Sequence, residues 1–354
     1  MAHNLSPAQR IRAAKEQLGN ALYLLGHHYQ NDAVIQHMDI VGDSLELARK
    51  IPGAHSRYIV FCGVFFMAEA AAILAKLEQE VYTPAMDAKC IMSEMAPARL
   101  VEDVLVRLQS RGRSIVPLAY VNSSAAVKAL CGRFGGAVCT SANAATMLAW
   151  ARKQGDAVLF LPDKNLGQNT ADALGLQPAA RLVLDIRDHG QHFDLDAAQK
   201  AALLLWPGCC AIHNNRFKTA HIAALRVATP GARVVVHPEC QPDLVAAADA
   251  AGSTSFIIRY AAEAPGGATV AIGTEINLVQ RLAAKYSGQK TIIPLAPSAC
   301  SNMAKTTEEN LAVLLEGIAA INAGGSAQLA AVRVAPNIAA PARVALQRML
   351  DACA

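Results

Sequence analysis

The chain has 354 residues, of which 53% are apolar and only 5% aromatic, and its formal net charge is +4. This length exceeds one ordinary hydrophobic core and indicates two or three domains, while so small a positive charge does not indicate nucleic-acid binding. The longest apolar stretch, around residues 58–74, contains Gly63 and Glu69, which argues against a membrane span.

The predicted elements begin with an amphipathic helix over residues 5–18. An apolar strand over Ala21–Leu25 follows and ends in a polar cluster, Gly26–Gln30. After a short helix and a short strand, Gly42-Asp43-Ser44 predicts the start of another helix, and Tyr58–Cys62 predicts a further strand. Short continuous apolar runs are typical of parallel strands buried on both faces, and their alternation with helices indicates α/β layers.

The same order of elements returns twice, from Ile115–Leu118 and from Val234–Val236. The second copy also carries an extra polar segment at residues 181–200. Each copy ends with an apolar run close to a cysteine, which suggests three unlike α/β units around a site on a pseudo-threefold axis. We expect the units to span residues 1–98, 99–212 and 213–354. The last helices, predicted at 308–321 and 340–352, should pack back on the first unit.

The nine cysteines, together with a start that shows no basic-then-apolar signal, predict a reducing, cytoplasmic location. Most such cysteines are small buried hydrophobes, and this is the interpretation for Cys62, Cys131, Cys139 and Cys240. The sequence has no CxxC pair, Walker A loop or GxGxxG fingerprint.

Three other cysteines, Cys90, Cys210 and Cys300, lie at the same point of the three repeated units. Coincidence among nine cysteines is one explanation. A metal centre is the other, because three thiolates on one axis suit an iron–sulfur cluster in which one iron lacks a protein ligand. Such an iron would be an open Lewis acid.

Several segments resemble the quinolinate synthase family of bacterial NAD biosynthesis, and they follow the family's order from about residue 20 to 310. In the first half they are His27-His-Tyr29-Gln30, Val41-Gly-Asp-Ser44-Leu-Glu-Leu-Ala, Phe61-Cys-Gly-Val-Phe-Phe-Met67-Ala-Glu, Tyr120-Val-Asn122-Ser-Ser and Cys139-Thr-Ser141-Ala-Asn143-Ala. In the second half they are Phe160-Leu-Pro-Asp163, Trp206-Pro-Gly-Cys-Cys210-Ala-Ile-His213, His237-Pro-Glu239-Cys, Gly252-Ser253-Thr254-Ser, Ile272-Gly-Thr-Glu275 and Cys300-Ser-Asn302-Met303.

The resemblance implies a triplicated three-layer α/β/α fold with parallel sheets and the active site at its centre. It implies a [4Fe–4S] cluster bound by Cys90, Cys210 and Cys300, with Cys209 as a mere neighbour. The implied enzyme condenses iminoaspartate with dihydroxyacetone phosphate to quinolinate, phosphate and two waters. Functional coupling to an L-aspartate-oxidising enzyme is a further expectation, as is the absence of nucleic-acid and membrane partners.

Within that resemblance, we expect Glu239, His237, His27 and Tyr29 to be catalytic. The two histidines could also bind anions as cations, since imidazole titrates near neutrality. The alternative is a surface carboxylate for Glu239, a structural role for either histidine and packing at a strand end for Tyr29. For the serine and threonine residues named next, the alternative is a helix N-cap. The expected substrate-binding residues are His27, Ser44, Tyr120, Asn122, Ser141, His237, Glu239, Ser253 and Thr254.

Two other classes of protein remain as alternatives. One is another enzyme with three cysteines around an open [4Fe–4S] cluster, such as the diphthamide enzyme or a reductive isoprenoid dehydratase. The other is a non-enzymatic iron–sulfur sensor, although no segment of the sequence suggests a DNA-binding or partner-binding region.

Overall fold

The computed structural model describes residues 5–353. The first helix, α1 (Pro7–Leu18), begins at a capping box in which Ser6 and Gln9 each accept a hydrogen bond from the other's backbone N–H. Its buried residues, Ile11, Ala14 and Leu18, recur at spacings of three and four, which places them on one face of the helix.

Three parallel sheets follow, and the first has the strand order β2-β1-β3-β4. All four strands are short, and the two central ones, β1 and β3, are almost fully buried, as expected when helices cover both faces of a sheet. The elements of this part of the chain are β1 (Leu22–His27), α2 (Asp32–Ile35), β2 (Ile40–Gly42), α3 (Ser44–Lys50), β3 (Tyr58–Cys62), α4 (Phe65–Leu74), β4 (Glu80–Tyr82) and α5 (Ile91–Glu94).

The second sheet repeats this order and adds one edge strand, giving β6-β5-β7-β9-β8. The extra strand and two short helices come from the additional segment at residues 181–200. The elements are α6 (Ala98–Gln109), β5 (Ile115–Tyr120), α7 (Ala125–Arg133), β6 (Ala137–Cys139), α8 (Ala144–Ala151), β7 (Ala157–Leu161), α9 (Lys164–Ala173), β8 (Arg181–Val183), α10 (Arg187–Gly190), α11 (Leu195–Lys200) and β9 (Leu203–Leu205).

The third sheet again has the same order, β11-β10-β12-β13. The predicted α/β fold of three repeated, layered units with parallel sheets is therefore confirmed, while the unit limits after residues 98 and 212 stay a proposal. The elements are α12 (Ala211–Arg216), α13 (Thr219–Ala228), β10 (Arg233–Val236), α14 (Pro242–Ala247), β11 (Ala250–Ala251), α15 (Thr254–Glu263), β12 (Thr269–Gly273), α16 (Ile276–Lys285) and β13 (Thr291–Pro294).

The two C-terminal helices are α17 (Glu308–Asn322), which packs on α1, and α18 (Pro336–Ala352). The expectation that both pack on the first unit is wrong for most of α18, whose most extensive contact is with α7 beside the second sheet. Gly132 of α7 permits this contact, because a Cβ atom there would overlap the carbonyl oxygen of Pro341. Contact with the first unit is smaller and includes Arg343, which donates to the carbonyls of Leu74 and Ala75.

The apolar core is not divided evenly among the three sheets. Side chains of the first and second sheets, such as Ile59, Leu118 and Trp206, belong to one continuous cluster. The third sheet has its own two clusters, with Val235 on one face and Val234 on the other, as alternation along a strand requires. Among residues 5–353, no helix combines the length and the apolar character needed to cross a membrane.

Candidate active site

One cavity of about 320 Å³ is lined by residues that follow the carboxyl ends of strands in all three sheets. In parallel α/β sheets this edge is where ligands bind. The cavity brings together every predicted site residue except Ser253. Those that line it are His27, Tyr29, Ser44, Cys90, Tyr120, Asn122, Ser141, Cys210, His237, Glu239, Thr254 and Cys300.

Two of the loops at this edge have the same construction. The N–H of Tyr29 donates to Nδ1 of His27 at 3.2 Å, and the N–H of Glu239 donates to Nδ1 of His237 at 3.3 Å. Burial lowers the pKa of both histidines to about 3. Both imidazoles are therefore neutral near pH 7 in this structure, which favours hydrogen bonding over anion binding by a cationic ring.

Glu239 is a buried polar group of the cavity, with 3% of its surface exposed. Tyr120 Oη donates to one carboxylate oxygen at 2.6 Å, and Nδ1 of His213 lies 2.7 Å from the other. Burial opposes ionisation, but the neighbouring His213 and His237 and these two hydrogen bonds lower the pKa of Glu239 below its ordinary value. Glu239 is therefore an ionised carboxylate that accepts from both neighbours.

His213 is a site residue that the sequence analysis did not single out. It lies in α12, three residues after Cys210, so one side of the helix carries both toward the cavity, with Nδ1 of His213 3.3 Å from Sγ of Cys210. Its ring stacks on His237 with centroids 4.6 Å apart. The Cys-x-x-His spacing at the start of a predicted helix is the signal that could have identified it.

A line of hydroxyl groups continues from His213 to the first unit. Nε2 of His213 lies 3.1 Å from Oγ1 of Thr274, which lies 2.6 Å from Oη of Tyr29. Burial raises the pKa of Tyr29 above its ordinary value, so this side chain stays a neutral phenol. Hydrogen bonds thus connect Tyr29, Thr274, His213, Glu239 and Tyr120 across all three sheets.

The four predicted hydroxyl residues near helix starts differ in role. Only Ser253 is an N-cap, accepting from the N–H of Phe256 at 3.3 Å, and it lies outside the cavity lining. Asp43 and Asn143 occupy the N-cap positions of α3 and α8. The hydroxyls that line the cavity, those of Ser44, Ser141 and Thr254, are therefore not used for capping.

The cysteines divide as the sequence suggested. Cys62, Cys131, Cys139 and Cys240 are buried, which confirms their interpretation as small core residues. Three others are partly exposed at the cavity, where burial raises the pKa of each thiol, that of Cys90 to about 12. They are Cys90, Cys210 and Cys300.

Two carboxylates accept the backbone N–H groups of these cysteines. Oδ2 of Asp163 accepts from Cys210 at 3.2 Å, and Oε1 of Glu275 accepts from Cys300 at 3.3 Å. Each carboxylate is also the N-cap of the helix that follows, α9 or α16. The same arrangement thus positions two of the three thiols, whereas Val64 occupies the corresponding N-cap of α4.

The donor set suits a soft, thiolate-binding centre. Three cysteines from three units face one cavity, and such ligands favour iron–sulfur clusters or zinc over hard cations. A second possible donor group, Cys210, His213 and Glu239, has its ligand atoms within 4.8 Å of one another. In that group His213 and Glu239 are hydrogen-bonded at 2.7 Å, so the three cysteines are the better fit for a cluster.

Comparison with known proteins gives one consistent result. The profile of the family described as quinolinate synthetase A protein matches residues 9–351. A protein of Corynebacterium glutamicum named quinolinate synthase is 45% identical over 97% of this chain and 86% of its own length. Proteins of the same name are 41% identical in Acidobacterium capsulatum, over 97% of this chain and 92% of that protein, and 42% identical in Streptomyces coelicolor, over 96% and 87%. The chain therefore belongs to the quinolinate synthetase A family of enzymes.

Proposed function

We propose that this chain is a quinolinate synthase. It would condense iminoaspartate with dihydroxyacetone phosphate, giving quinolinate, phosphate and two waters in the de novo synthesis of NAD. The observation that supports this most strongly is the composition of the cavity. Three cysteines from three units share it with a hydrogen-bonded line of proton-transferring groups from Tyr29 to Tyr120.

Cys90, Cys210 and Cys300 would hold a [4Fe–4S] cluster in this cavity. When bound, the cluster supplies one iron without a protein ligand, a Lewis acid for a substrate oxygen. Metal binding must deprotonate the three thiols, because burial keeps their pKa values above the ordinary range.

Glu239 is our candidate for the group that accepts and returns protons during dehydration and ring closure. Its low pKa makes it a carboxylate at neutral pH, and His213 lies close enough, at 2.7 Å, to exchange a proton with it. Tyr29 and Tyr120 stay neutral, since burial raises the pKa of both phenols. Neither phenol would act as a base. Tyr120 would keep its hydrogen bond to Glu239, whereas Tyr29 would exchange its bond with Thr274 for one to a substrate oxygen.

The substrates carry carboxylates and a phosphate, and the cavity offers several groups for them. Ser44, Ser141 and Thr254 supply hydroxyls, and Arg216 is the only arginine or lysine among the residues that line the cavity in the described part of the chain. Oδ1 of Asn122 is buried without a hydrogen-bond partner among the described residues, so it could accept from a substrate N–H or O–H group.

We further propose a cytoplasmic location and coupling to an L-aspartate-oxidising enzyme. An imine such as iminoaspartate hydrolyses in water, so an enzyme that oxidises aspartate has to supply it close to the time of use. No nucleic acid or membrane has a role in this proposal.

The test is anaerobic reconstitution of the cysteine variants with iron and sulfide, followed by absorption spectra and assays for quinolinate. Cys90→Ser, Cys210→Ser and Cys300→Ser should each lose the cluster absorption and quinolinate formation. Cys209→Ser is the matched control, since its side chain is adjacent in sequence but does not line the cavity. A full cluster in Cys210→Ser with loss in Cys209→Ser would contradict the assignment.

A further inference from the structure

The side chains of one helix reach from the second unit to the loop that carries Glu239 in the third. Nδ2 of Asn169 donates to the carbonyls of Pro238 at 2.7 Å and Cys240 at 2.8 Å. Nδ2 of Asn165 donates to the carbonyl of Glu239 itself at 3.1 Å. Three consecutive carbonyls of the Glu239 loop are therefore bound by two buried asparagines of α9, Asn165 with 1% and Asn169 with 8% of its surface exposed.

The same contact recurs between the third unit and the first. Nδ2 of Asn277 in α16 donates to the carbonyl of Tyr29 at 3.1 Å. Arg281 donates to the carbonyls on either side, those of His28 at 2.9 Å and Gln30 at 2.5 Å. Again three consecutive carbonyls of an active-site loop are bound by one helix of another unit.

The two helices use equivalent positions. Asn165 and Asn277 are the second residues of α9 and α16, and Asn169 and Arg281 are the sixth, which places each pair on one face. Both helices follow the third strand of their sheet. The corresponding second residue of α4 is Phe66, a member of the core shared by the first two sheets. Glu69 of α4 accepts from the N–H of Ala125 in the second unit at 3.4 Å, so this contact combines apolar packing with a bond to an N–H group and not to carbonyls.

From this repetition we infer that Asn165, Asn169, Asn277 and Arg281 are positioning residues for the reaction. They fix the loops of Glu239 and Tyr29 from the adjacent unit, without lining the cavity themselves. Buried carbonyls that lose their donors are costly to leave unpaired, so each loop is stable in the observed position only while the neighbouring helix binds it. Catalytic geometry thereby depends on the docking of one unit against the next.

The experiment compares Asn165→Ala and Asn169→Ala with Gln168→Ala, a control in the same helix whose side chain does not bind the Glu239 loop. Reconstituted enzyme is assayed for kcat and KM, and hydrogen exchange of residues 237–241 is followed by mass spectrometry with and without the cluster. In the Asn variants we expect kcat to fall at least about tenfold and both KM values to change less than about threefold. Exchange in 237–241 should accelerate at least about tenfold, and the control should match the parent.

The kinetic part rests on the proposed function, whereas the exchange part does not. If the parent forms no quinolinate, the proposed function fails, and faster exchange in the Asn variants would still support the inference. Unchanged exchange of residues 237–241 in both variants would overturn it, as would a rise in KM with unchanged kcat. If Asn169→Ala does not fold, Asn165→Ala alone decides, since it removes only the bonds to Glu239 and Asn214.

The contact between α16 and the Tyr29 loop provides an independent check. Arg281→Gln should accelerate exchange of residues 27–31 and leave 237–241 unchanged. Gln280→Ala, at an exposed position one residue earlier in α16, is the control and should change neither segment. Equal exchange of residues 27–31 in Arg281→Gln and the parent would overturn the inference for this loop.

Discussion

Glu239 accepts hydrogen bonds from Tyr120 and His213, and its low pKa keeps it ionised. Glu239→Gln retains the shape of the side chain but removes the basic oxygen, so turnover should fall by roughly 10²-fold or more. The cluster absorption should survive, because Glu239 is not one of the proposed ligands of the cluster. Anaerobic assays and spectra of the variant check both statements. Near-normal turnover would mean that the base lies elsewhere, with His213 and His237 the next candidates.

His28, which follows His27 in the first unit, has a pKa of about 4, mainly because it is buried. In an unfolded chain the pKa of histidine is about 6.5. Between these values the unfolded chain binds a proton that the folded protein does not. The contribution of neutral His28 to the free energy of unfolding is therefore fully present above about pH 6.5 and is lost as the pH falls toward 4. In His28→Gln, the free energy of unfolding should fall less steeply in this window, by up to about 1.4 kcal/mol per pH unit.

Urea titrations from pH 7.5 to 4.5 measure that slope. His192→Gln, at an exposed position of the second unit, serves as the control and should retain the slope of the parent. A slope in His28→Gln equal to that of the parent would show that His28 does not contribute to acid lability.

Helix α18 depends on the small size of one residue in α7. In Gly132→Ala the new methyl group would overlap the backbone of Pro341, which cannot move like a side-chain end. We expect a loss of roughly 1–3 kcal/mol in the free energy of unfolding, although alanine is the better helix former. Gly53→Ala is the matched control, because its Cβ would come no closer than 3.9 Å to any neighbour. Equal stability of the two variants would contradict the packing argument.

At the scale of elements, the sequence was sufficient for those features that depend on local pattern. Short apolar runs such as Tyr58–Cys62 predicted strands, and their repetition predicted three similar sheets, because buried parallel strands need continuous apolar residues. His237 and Glu239, which line one cavity in the structure, were expected at the site from the family resemblance.

Features that depend on contacts between distant segments could not be predicted in this way. The hydrogen bonds of Asn165 and Asn169 to carbonyls of another unit leave no periodicity in the sequence. Likewise, Asp163 and Glu275 look like ordinary N-caps until the cysteine N–H groups are placed beside them. The docking of α18 on α7 requires a glycine at position 132, but nothing in the sequence indicates that Pro341 packs against it.

In the whole molecule, one face of the first sheet shares an apolar core with the second sheet, and its other face packs against α1 and α17. The third sheet has separate cores and binds its neighbours through polar contacts such as those of Asn169 and Arg281. We therefore expect the third sheet to open as a unit with a lower free energy than the other two. Native-state hydrogen exchange in low denaturant should show strands β10, β12 and β13 exchanging before β1 and β5. One common opening free energy for all three sheets would contradict this.

The central claim is that the cavity shared by three cysteines and the line from Tyr29 to Glu239 makes quinolinate. The most direct test follows quinolinate and phosphate together in one anaerobic reaction of the reconstituted protein with iminoaspartate and dihydroxyacetone phosphate. The proposed reaction predicts that both products appear in equal amounts and only when the cluster is present. Phosphate release without quinolinate, or no quinolinate from protein with a complete cluster, would contradict the claim.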